Sequence, residues 1–503
     1  MDIFANLALG FGAVLEPSNL MFCFIGCLLG TAVGVLPGIG PLGTIAILLP
    51  VTFGFAPEAS MIMLAGIYYG AQYGGSTTAI LINLPGEATS AVTAIDGYQM
   101  ARQGRAGAAL AIAALGSFFA GCVATLVIAL FAKPLTSLAL SFGPSDYFAL
   151  MVLGVVASIA LAHGSVLKGL VMIVLGLLLG CVGTDVYTGS MRLTLGTLDL
   201  ADGIPIIAFG SGVYAIAEIL RGLEDEKEQE RDVLTTRVTG LMPTWADIKD
   251  SAGPILRGTG LGSILGILPG GGAMLSSFTS YALEKKISLH PERFGHGAIA
   301  GVAGPESANN AGAQSSFIPM LTLGIPSNAI MALMIGALML QGVAPGPNLV
   351  NEKPVLFWGV IVSMWIGNLM LVILNLPLVG LWVKLLSVRN HLLFPAIIGF
   401  SAIGVYSVGN NPFDLVVMAV FGVVGYGLTK LDCEPAPLLL GFVLGPMLEE
   451  YLRRAMLLAD GNPLAFFHRP ITAGLLTVAA ITLFAVLFPA IRNRRKVVFA
   501  EDD

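Results

Sequence analysis

The sequence predicts an all-α polytopic membrane protein of about 10–12 transmembrane helices plus broken or re-entrant helical hairpins, and three observations predict it. Of the 503 residues, 56% are apolar and 11% charged, with a mean hydropathy of +0.86, whereas roughly a quarter of the residues in soluble domains are charged. Apolar stretches reach the length of about 20 residues that a bilayer-crossing helix needs: Ala106 to Ala132, Tyr147 to Ala162, Ile204 to Leu220, Trp358 to Val379 and Ile471 to Ile491. They do not alternate as strands of a membrane barrel would. Third, two clusters of helix breakers lie inside apolar sequence: Gly34-Val35-Leu36-Pro37-Gly38-Ile39-Gly40-Pro41 and Gly266-Ile267-Leu268-Pro269-Gly270-Gly271-Gly272. Proline removes a backbone donor and glycine weakens a helix. Broken backbone at membrane depth is tolerated where it is packed in protein or lines a polar cavity.

Taken in order, Leu20 to Leu36 is a span that runs into the first cluster, Leu42 to Phe55 follows it, and Glu58 to Gly70 is a further apolar helix. Tyr73 to Ser90 is too polar and too interrupted to face lipid and predicts a hairpin, or two half-helices meeting at Pro85-Gly86. Val166 to Val182 pairs with the preceding span as a hairpin turned at His163-Gly164, and Ile204 to Leu220 closes the first half. Glu224 to Arg237 carries six acids and three bases and reads as a soluble linker. The predicted organisation is a first membrane repeat at 1–221, a linker at 222–250, a second repeat at 251–460, and a last span with a basic tail at 461–503. The breaker clusters recur at an offset of 232, from Gly34 to Gly266. A second polar break, Gln314 to Asn328, aligns with Ser76 to Ser90 at 238, pairing Thr77 with Ser315, Thr78 with Ser316 and Gly86 with Gly324. An order of elements that occurs twice marks an internal repeat, and the inverted orientation is the one favoured by broken-helix secondary transporters.

The first Lys or Arg is Arg102, so nothing basic holds the N-terminus inside, whereas Arg492-Asn493-Arg494-Arg495-Lys496 places the C-terminus in the cytoplasm. The net charge of −6 suggests no nucleic-acid partner. Cys23, Cys27, Cys122, Cys181 and Cys433 lack metal or redox spacing and read as small hydrophobes. The histidines show no metal spacing, and no phosphate-binding glycine motif is present. Lys133, Lys168 and Arg192 stand near span ends, where such side chains reach the headgroups.

Candidate binding groups concentrate in the breaks. Gly38, Gly75, Ser76, Thr77, Thr78, Pro85, Gly86, Gly270, Ser315, Ser316, Gly324, Pro326, Ser327 and Asn328 offer hydroxyls, amides and exposed backbone suited to a carboxylate. The alternative for each small residue is close helix packing. Asn83, Glu87, Glu306, Asn309 and Asn310 are candidates for coupling to a cation, since an acid at membrane depth is costly and by default functional. Glu87 and Glu306 can instead cap helices at the interface. Na+ is a possible metal, with its ligands open. Two weak nucleophile patterns, Ser165-Val166-Leu167-Lys168 and Gly399-Phe400-Ser401, leave a membrane-embedded hydrolase as one rival reading and a passive channel as another.

Gly34 to Gly40, Tyr69-Gly70-Ala71-Gln72-Tyr73-Gly74-Gly75-Ser76, Asn83-Leu84-Pro85-Gly86-Glu87, Ala94-Ile95-Asp96-Gly97-Tyr98, Pro305-Glu306-Ser307-Ala308-Asn309-Asn310-Ala311 and Leu323-Gly324-Ile325-Pro326-Ser327 closely resemble the large membrane subunit of the bacterial tripartite tricarboxylate transporters. The resemblance implies an inner-membrane secondary transporter, not an enzyme and without an organic cofactor. It implies a small membrane subunit and a periplasmic substrate-binding protein as partners, and import of organic carboxylates driven by Na+ or H+. Alternating access, plausibly by an elevator movement, is the expected mechanism, with Ala106 to Ala132 and Trp358 to Val379 as scaffold candidates.

Overall fold

The computed structural model describes residues 3–36, 40–83, 85–161, 165–225, 241–268, 272–386 and 390–487. Pro37, Gly38, Pro269 and Gly270, the turn at His163-Gly164, most of the charged linker and the basic tail lie outside them. The described chain is helical throughout, apart from one two-stranded hairpin pairing Gly183–Thr184 with Met191–Arg192.

The first half holds α1 (Ile3–Val14), α2 (Pro17–Gly34), α3 (Gly40–Thr52), α4 (Pro57–Ile82), α5 (Ala91–Arg102), α6 (Ala106–Leu140), α7 (Pro144–Leu161) and α8 (Val166–Gly180). Then come α9 (Ile206–Gly210), a π turn (Ser211–Ile216) and α10 (Ala217–Asp225) as one continuous rod. The second half holds α11 (Trp245–Leu265), α12 (Gly272–Ile287), α13 (Ala300–Ser315), α14 (Phe317–Leu323), α15 (Ala329–Leu340), α16 (Leu349–Glu352) and α17 (Pro354–Asn375). It continues through α18 (Val379–Leu386), α19 (Asn390–Gly409), α20 (Pro412–Lys430), α21 (Pro435–Leu458), α22 (Ala465–His468) and α23 (Pro470–Leu487). Among the described residues five helices are long and apolar enough to cross a membrane: Pro17–Gly34, Ala106–Leu140, Ile206–Glu224, Pro354–Asn375 and Pro412–Lys430. Shorter apolar helices such as α3, with 13 residues, extend roughly 20 Å at 1.5 Å per residue and fall short of a hydrocarbon core of about 30 Å.

The expected break at Pro85-Gly86 is present, but it begins later in the segment than Tyr73. α4 runs unbroken from Pro57 to Ile82, so Ser76, Thr77 and Thr78 lie inside a helix and only the stretch after Ile82 departs from it. The hydroxyls are accommodated by back-bonding: Ser76 donates to the Gln72 carbonyl and Thr77 to that of Tyr73, both over 3.1 Å. Such bonds let polar residues sit in a helix at membrane depth without a break.

Glycine seams fix the arrangement. On α2, Gly26, Gly30 and Gly34 lie against the backbone of Met63, Ile67 and Ala71 of α4. On α11, Gly258, Gly262 and Gly266 lie against Gly304, Ala308 and Gly312 of α13. Within each pair both numbers increase together, so the helices run parallel. α4 and α13 are antiparallel to each other, because Tyr69 meets the ring of Phe317 while Ser76 reaches Glu306. The pair α2/α4 therefore points opposite to the pair α11/α13. The long helices are exchanged between the pairs: α6 packs on α11 and α13, and α17 on α2 and α4.

α6 and α17, the scaffold candidates, thus pack directly on the helix pairs that carry the turns. Polar bonds tie them in: Asn310 Nδ2 donates to Ser117 Oγ over 2.7 Å, and the indole of Trp365 donates to the Cys122 carbonyl over 3.0 Å. A second group of helices packs with α21 on α7 and α8 and α23 on α7, and α21 also meets α15 of the first group.

The seams make a testable contrast on α11. Gly262→Ala would press a methyl onto the Ala308 carbonyl, whereas Gly260→Ala meets nothing within 4 Å. We expect the first to destabilise by about 1–3 kcal/mol and the second to be neutral or stabilising, read as the thermal transition of the purified protein in detergent.

Candidate functional site

A cavity of about 330 Å³ opens where helix starts from both halves meet. Gly40, Pro41 and Leu42 begin α3; Gly86, Glu87 and Thr89 form the turn leading into α5; Ala273 and Met274 begin α12; and Asn328, Ala329 and Ile330 begin α15. Tyr68 and Gln72 of α4 complete this wall. Facing it are Ser158 of α7, Tyr214 of the π turn, and Glu434, Ala436, Pro437 and Leu440 at the start of α21. Each helix start leaves backbone N–H groups without intrahelical partners and carries the positive end of the helix dipole. The lining contains no Lys, Arg or His, and it contains two acids, Glu87 and Glu434. Among the lining groups, backbone N–H groups and helix dipoles can attract an anion.

Local sequence explains the geometry. Gly40 has φ +60°, which glycine adopts without strain. A Cβ on Gly86 would fall 2.5 Å from Gly75 Cα and 2.8 Å from the Gly34 carbonyl, whereas one on Gly75 would meet nothing closer than 3.5 Å, so the turn folds back onto α4 only with glycine at 86. Asn83 ends α4 in the left-handed region and Gly324 ends α14 in the same way. Glu87 and Asn328 are extended helix-capping residues with nearly the same backbone angles, φ −151°, ψ 163° and φ −155°, ψ 174°. The backbone thus pairs Asn83 with Gly324, Pro85 with Pro326 and Glu87 with Asn328, an offset of 241 in place of the 238 expected from sequence. The sequence register followed glycine and hydroxyl identities, while the backbone follows the proline and the helix cap.

Behind the cavity wall the polar groups bond one another. Glu87 accepts from the Thr89 hydroxyl and, over 3.2 Å, from Asn309 Nδ2. Glu306, 1% exposed, accepts from Ser76 Oγ over 2.8 Å and from the Thr93 hydroxyl. Asn310 Nδ2 also donates to the Glu306 carbonyl over 3.1 Å. A separate void of about 20 Å³ borders Tyr73, Ser76, Thr77, Ser117, Glu306 and Asn375, room for about one water.

The structure therefore sorts the expected residues. Gly86, Glu87 and Asn328 face the cavity. Gly75 lies against Glu87, and Asn309 reaches the cavity through it. Ser76, Thr77, Glu306 and Asn310 gather around the small void or its acid. Thr78 donates to the Val35 carbonyl, Ser315 to that of Gly262, Ser316 to that of Ala313 and Ser327 to that of Ser316. Thr78, Ser315 and Ser327 hold elements together, and Ser316 closes its own helical turn. Pro85 is exposed, Asn83 and Gly324 shape turns, and Pro326 is buried in its turn; Gly38 and Gly270 lie outside the described residues.

Tyr68, Gln72, Thr89 and Tyr214 line the cavity and were not singled out from sequence. The signal for Gln72 was its place one turn before Ser76; Tyr214 gave none, because its position depends on the π turn. Elsewhere, Arg192 does not reach for headgroups but donates to Glu449 over 2.8 Å in a cluster with Arg453 and Asp185. Of the weak nucleophile patterns, Ser401 Oγ is buried without a hydrogen-bond partner, and Lys168 Nζ donates to the Leu431 carbonyl over 2.7 Å.

A helical polytopic membrane protein with helix starts converging on an interior cavity has the build of a secondary transporter. The chain matches the Tripartite tricarboxylate transporter TctA family over residues 20–440 and belongs to it. Membership makes it the membrane subunit of a tripartite tricarboxylate transporter. It is 62% identical over 503 residues to an uncharacterized 52.8 kDa protein in the TAR-I ttuC' 3' region of Agrobacterium vitis, covering all of both chains. It is 60% identical over 242 residues to an uncharacterized protein in the TAR-II ttuC' 3' region of Agrobacterium vitis, covering 48% of this chain and all of that one. No solved structure matches.

Replacing Glu306 by Leu leaves the Thr93 hydroxyl without its acceptor and Ser76 with the Gln72 carbonyl alone, whereas Glu306→Gln preserves an acceptor. We expect the first to cost about 1–3 kcal/mol for the orphaned hydroxyl and the second clearly less, compared as thermal transitions in detergent.

Proposed function

We propose that this subunit imports organic carboxylates of the di- or tricarboxylate kind, delivered by a periplasmic binding protein, together with Na+ or H+. The observation that carries the reading is the composition of the cavity wall, with helix starts from both halves and no basic side chain. Backbone N–H groups and dipole ends bind a carboxylate without a permanent positive charge in the membrane. Glu87 in the same wall opposes an anion unless its charge is offset. Two unit charges 4 Å apart interact by about 4 kcal/mol at an effective dielectric of 20. A cation that arrives with the substrate removes this penalty, which makes Glu87 and its partner Asn309 the coupling point. Glu306 and Asn310, around the small void behind it, extend the polar path.

The two halves act as inverted repeats in this reading. Support comes from the opposite directions of α2/α4 and α11/α13, and from two cross-contacts. Tyr68 lies against Asn328, and Asn309 donates to Glu87; both members of the second pair differ from those of the first by 241. Movement of the body formed by α2–α6 and α11–α17 against α7, α8, α20, α21 and α23 would expose the cavity to each side in turn, because the cavity lies on that boundary. With the basic tail in the cytoplasm of an inner-membrane protein, the opposite end of α23 faces outward. There, a charged crevice of about 620 Å³ lined by Asp185, Arg192, Glu449 and Arg454 suits the binding protein's approach.

The test is uptake of labelled carboxylates into vesicles that hold this chain, the small membrane subunit and the binding protein. We expect saturable uptake that collapses with the Na+ or H+ gradient, and in Glu87→Gln an uptake at least tenfold less responsive to that gradient. Uptake indifferent to both gradients in the unaltered protein would sink the coupling, and flux without the binding protein would favour a channel.

A further inference from the structure

Two polar atoms at the cavity wall have no partner. Gln72 Oε1 and Tyr214 Oη are buried and make no hydrogen bond, and both residues line the cavity. Gln72 is 1% exposed. Its side chain bonds the Tyr68 hydroxyl, and because Oε1 is unpartnered that bond is made through Nε2. The amide is thereby held with its oxygen free. Tyr214 comes from the rod formed by α9, the π turn and α10. The π turn that carries it is fixed by Ser211, whose hydroxyl donates to the Ala46 carbonyl over 2.9 Å, and by Gly212, which lies against the Met418 carbonyl. Single π turns of this sort recur at functional sites.

The chemistry of the two atoms narrows the ligand. Buried polar groups are nearly always hydrogen-bonded, so an exception on a cavity wall points to a group supplied from outside. An amide oxygen only accepts, and an ionised carboxylate has no hydrogen to donate. Carboxylate groups alone therefore leave Gln72 Oε1 unsatisfied while sealing it from water. A hydroxyl suits both kinds of atom, since it can donate to an amide oxygen such as Gln72 Oε1 and accept from a phenol such as that of Tyr214. We propose that Gln72 and Tyr214 bind a hydroxyl group of the transported acid, so that the cavity selects hydroxycarboxylates over the same acids without the hydroxyl. The proposal rests on the carboxylate-transport reading and narrows its substrate class. Discrimination of this kind is steep: a site built to bond a hydroxyl rejects the analogue lacking it far more strongly than an apolar pocket rejects a missing methylene.

The full-length chain, purified in detergent, can be titrated with matched acids, malate against succinate and citrate against tricarballylate, with and without Na+, and binding read as thermal stabilisation. In the unaltered protein we expect the hydroxylated member of at least one pair to bind at least tenfold tighter than its partner. Tyr214→Phe, which removes one oxygen atom, and Gln72→Met, which keeps the length of the side chain, should each reduce that ratio at least tenfold, mainly by weakening the hydroxylated acid. Equal affinity for both members of every pair overturns the proposal, as does a ratio that survives in Tyr214→Phe. A Gln72→Met protein that loses a Na+ response and keeps the hydroxyl preference also overturns it, by assigning Oε1 to the ion. If no acid of either kind binds the unaltered protein, the carboxylate reading itself fails, an outcome distinct from equal binding.

Discussion

Backbone contact along the glycine seams is the constraint on which the rest of the structure depends. Without an aqueous phase to drive apolar surfaces together, helices in a membrane associate through close packing, which small residues permit. Here α2 touches α4, and α11 touches α13, at three successive turns through glycine alone on one side. That proximity sets where each helix stops. Gly34 and Gly266, the last glycines of their seams, lie against Ala71 and Gly312, and the next elements, α3 and α12, start from there toward the cavity. A larger residue in either seam would displace a helix start as well as a helix.

The starts in turn determine how charge is handled. An anion site at membrane depth can use a basic side chain, at the cost of carrying a buried charge when empty, or it can use oriented dipoles, which remain neutral overall. This chain uses dipoles, since its cavity wall has helix starts and no Lys or Arg. Glu87 in the wall and Glu306 behind it are served by neutral donors: Thr89 and Asn309 for Glu87, and Ser76 and Thr93 for Glu306. Neutral donors support a carboxyl either ionised or protonated, and a fixed basic partner would lock it in one form.

Much of this was legible in the sequence, because the operative residues are of kinds that stand out in apolar surroundings. Pro and Gly clusters marked the helix starts of α3 and α12, and Pro85-Gly86 and Gly324 to Asn328 marked the turns. What could not be read was which hydroxyl faces what. Ser76, Thr78 and Ser315 have the same chemistry, yet one meets an acid and two bond backbone carbonyls, a difference set by the rotation of a helix that hydropathy does not report. The continuity of α4 through Ser76 was hidden for a related reason, since back-bonded hydroxyls look like a break in composition without being one in conformation. The packing of α6 and α17 on the helix pairs that carry the turns was hidden as well. Their apolar length suggested a passive support, and the tie through Ser117, Cys122 and Trp365 depends on contacts remote in sequence.

On the proposed two-fold relation, Glu87 and Asn328 occupy one position in the two halves, with the same cap geometry and different chemistry. Asn328 Oδ1 accepts from the Met331 N–H over 2.9 Å and closes its own helix. Glu87 has its carboxyl engaged with Thr89 and with Asn309 of the opposite half. A symmetric site with acids at both caps would set two carboxylates against an incoming anion, and one with amides at both would have nothing to titrate or to attract a cation. Placing the acid at one cap only leaves the other helix start free to hold a substrate carboxylate. In the proposed coupling, the inequality of the halves would convert a symmetric anion cradle into a site where anion and cation bind together, and Glu87 is the residue that makes them unequal.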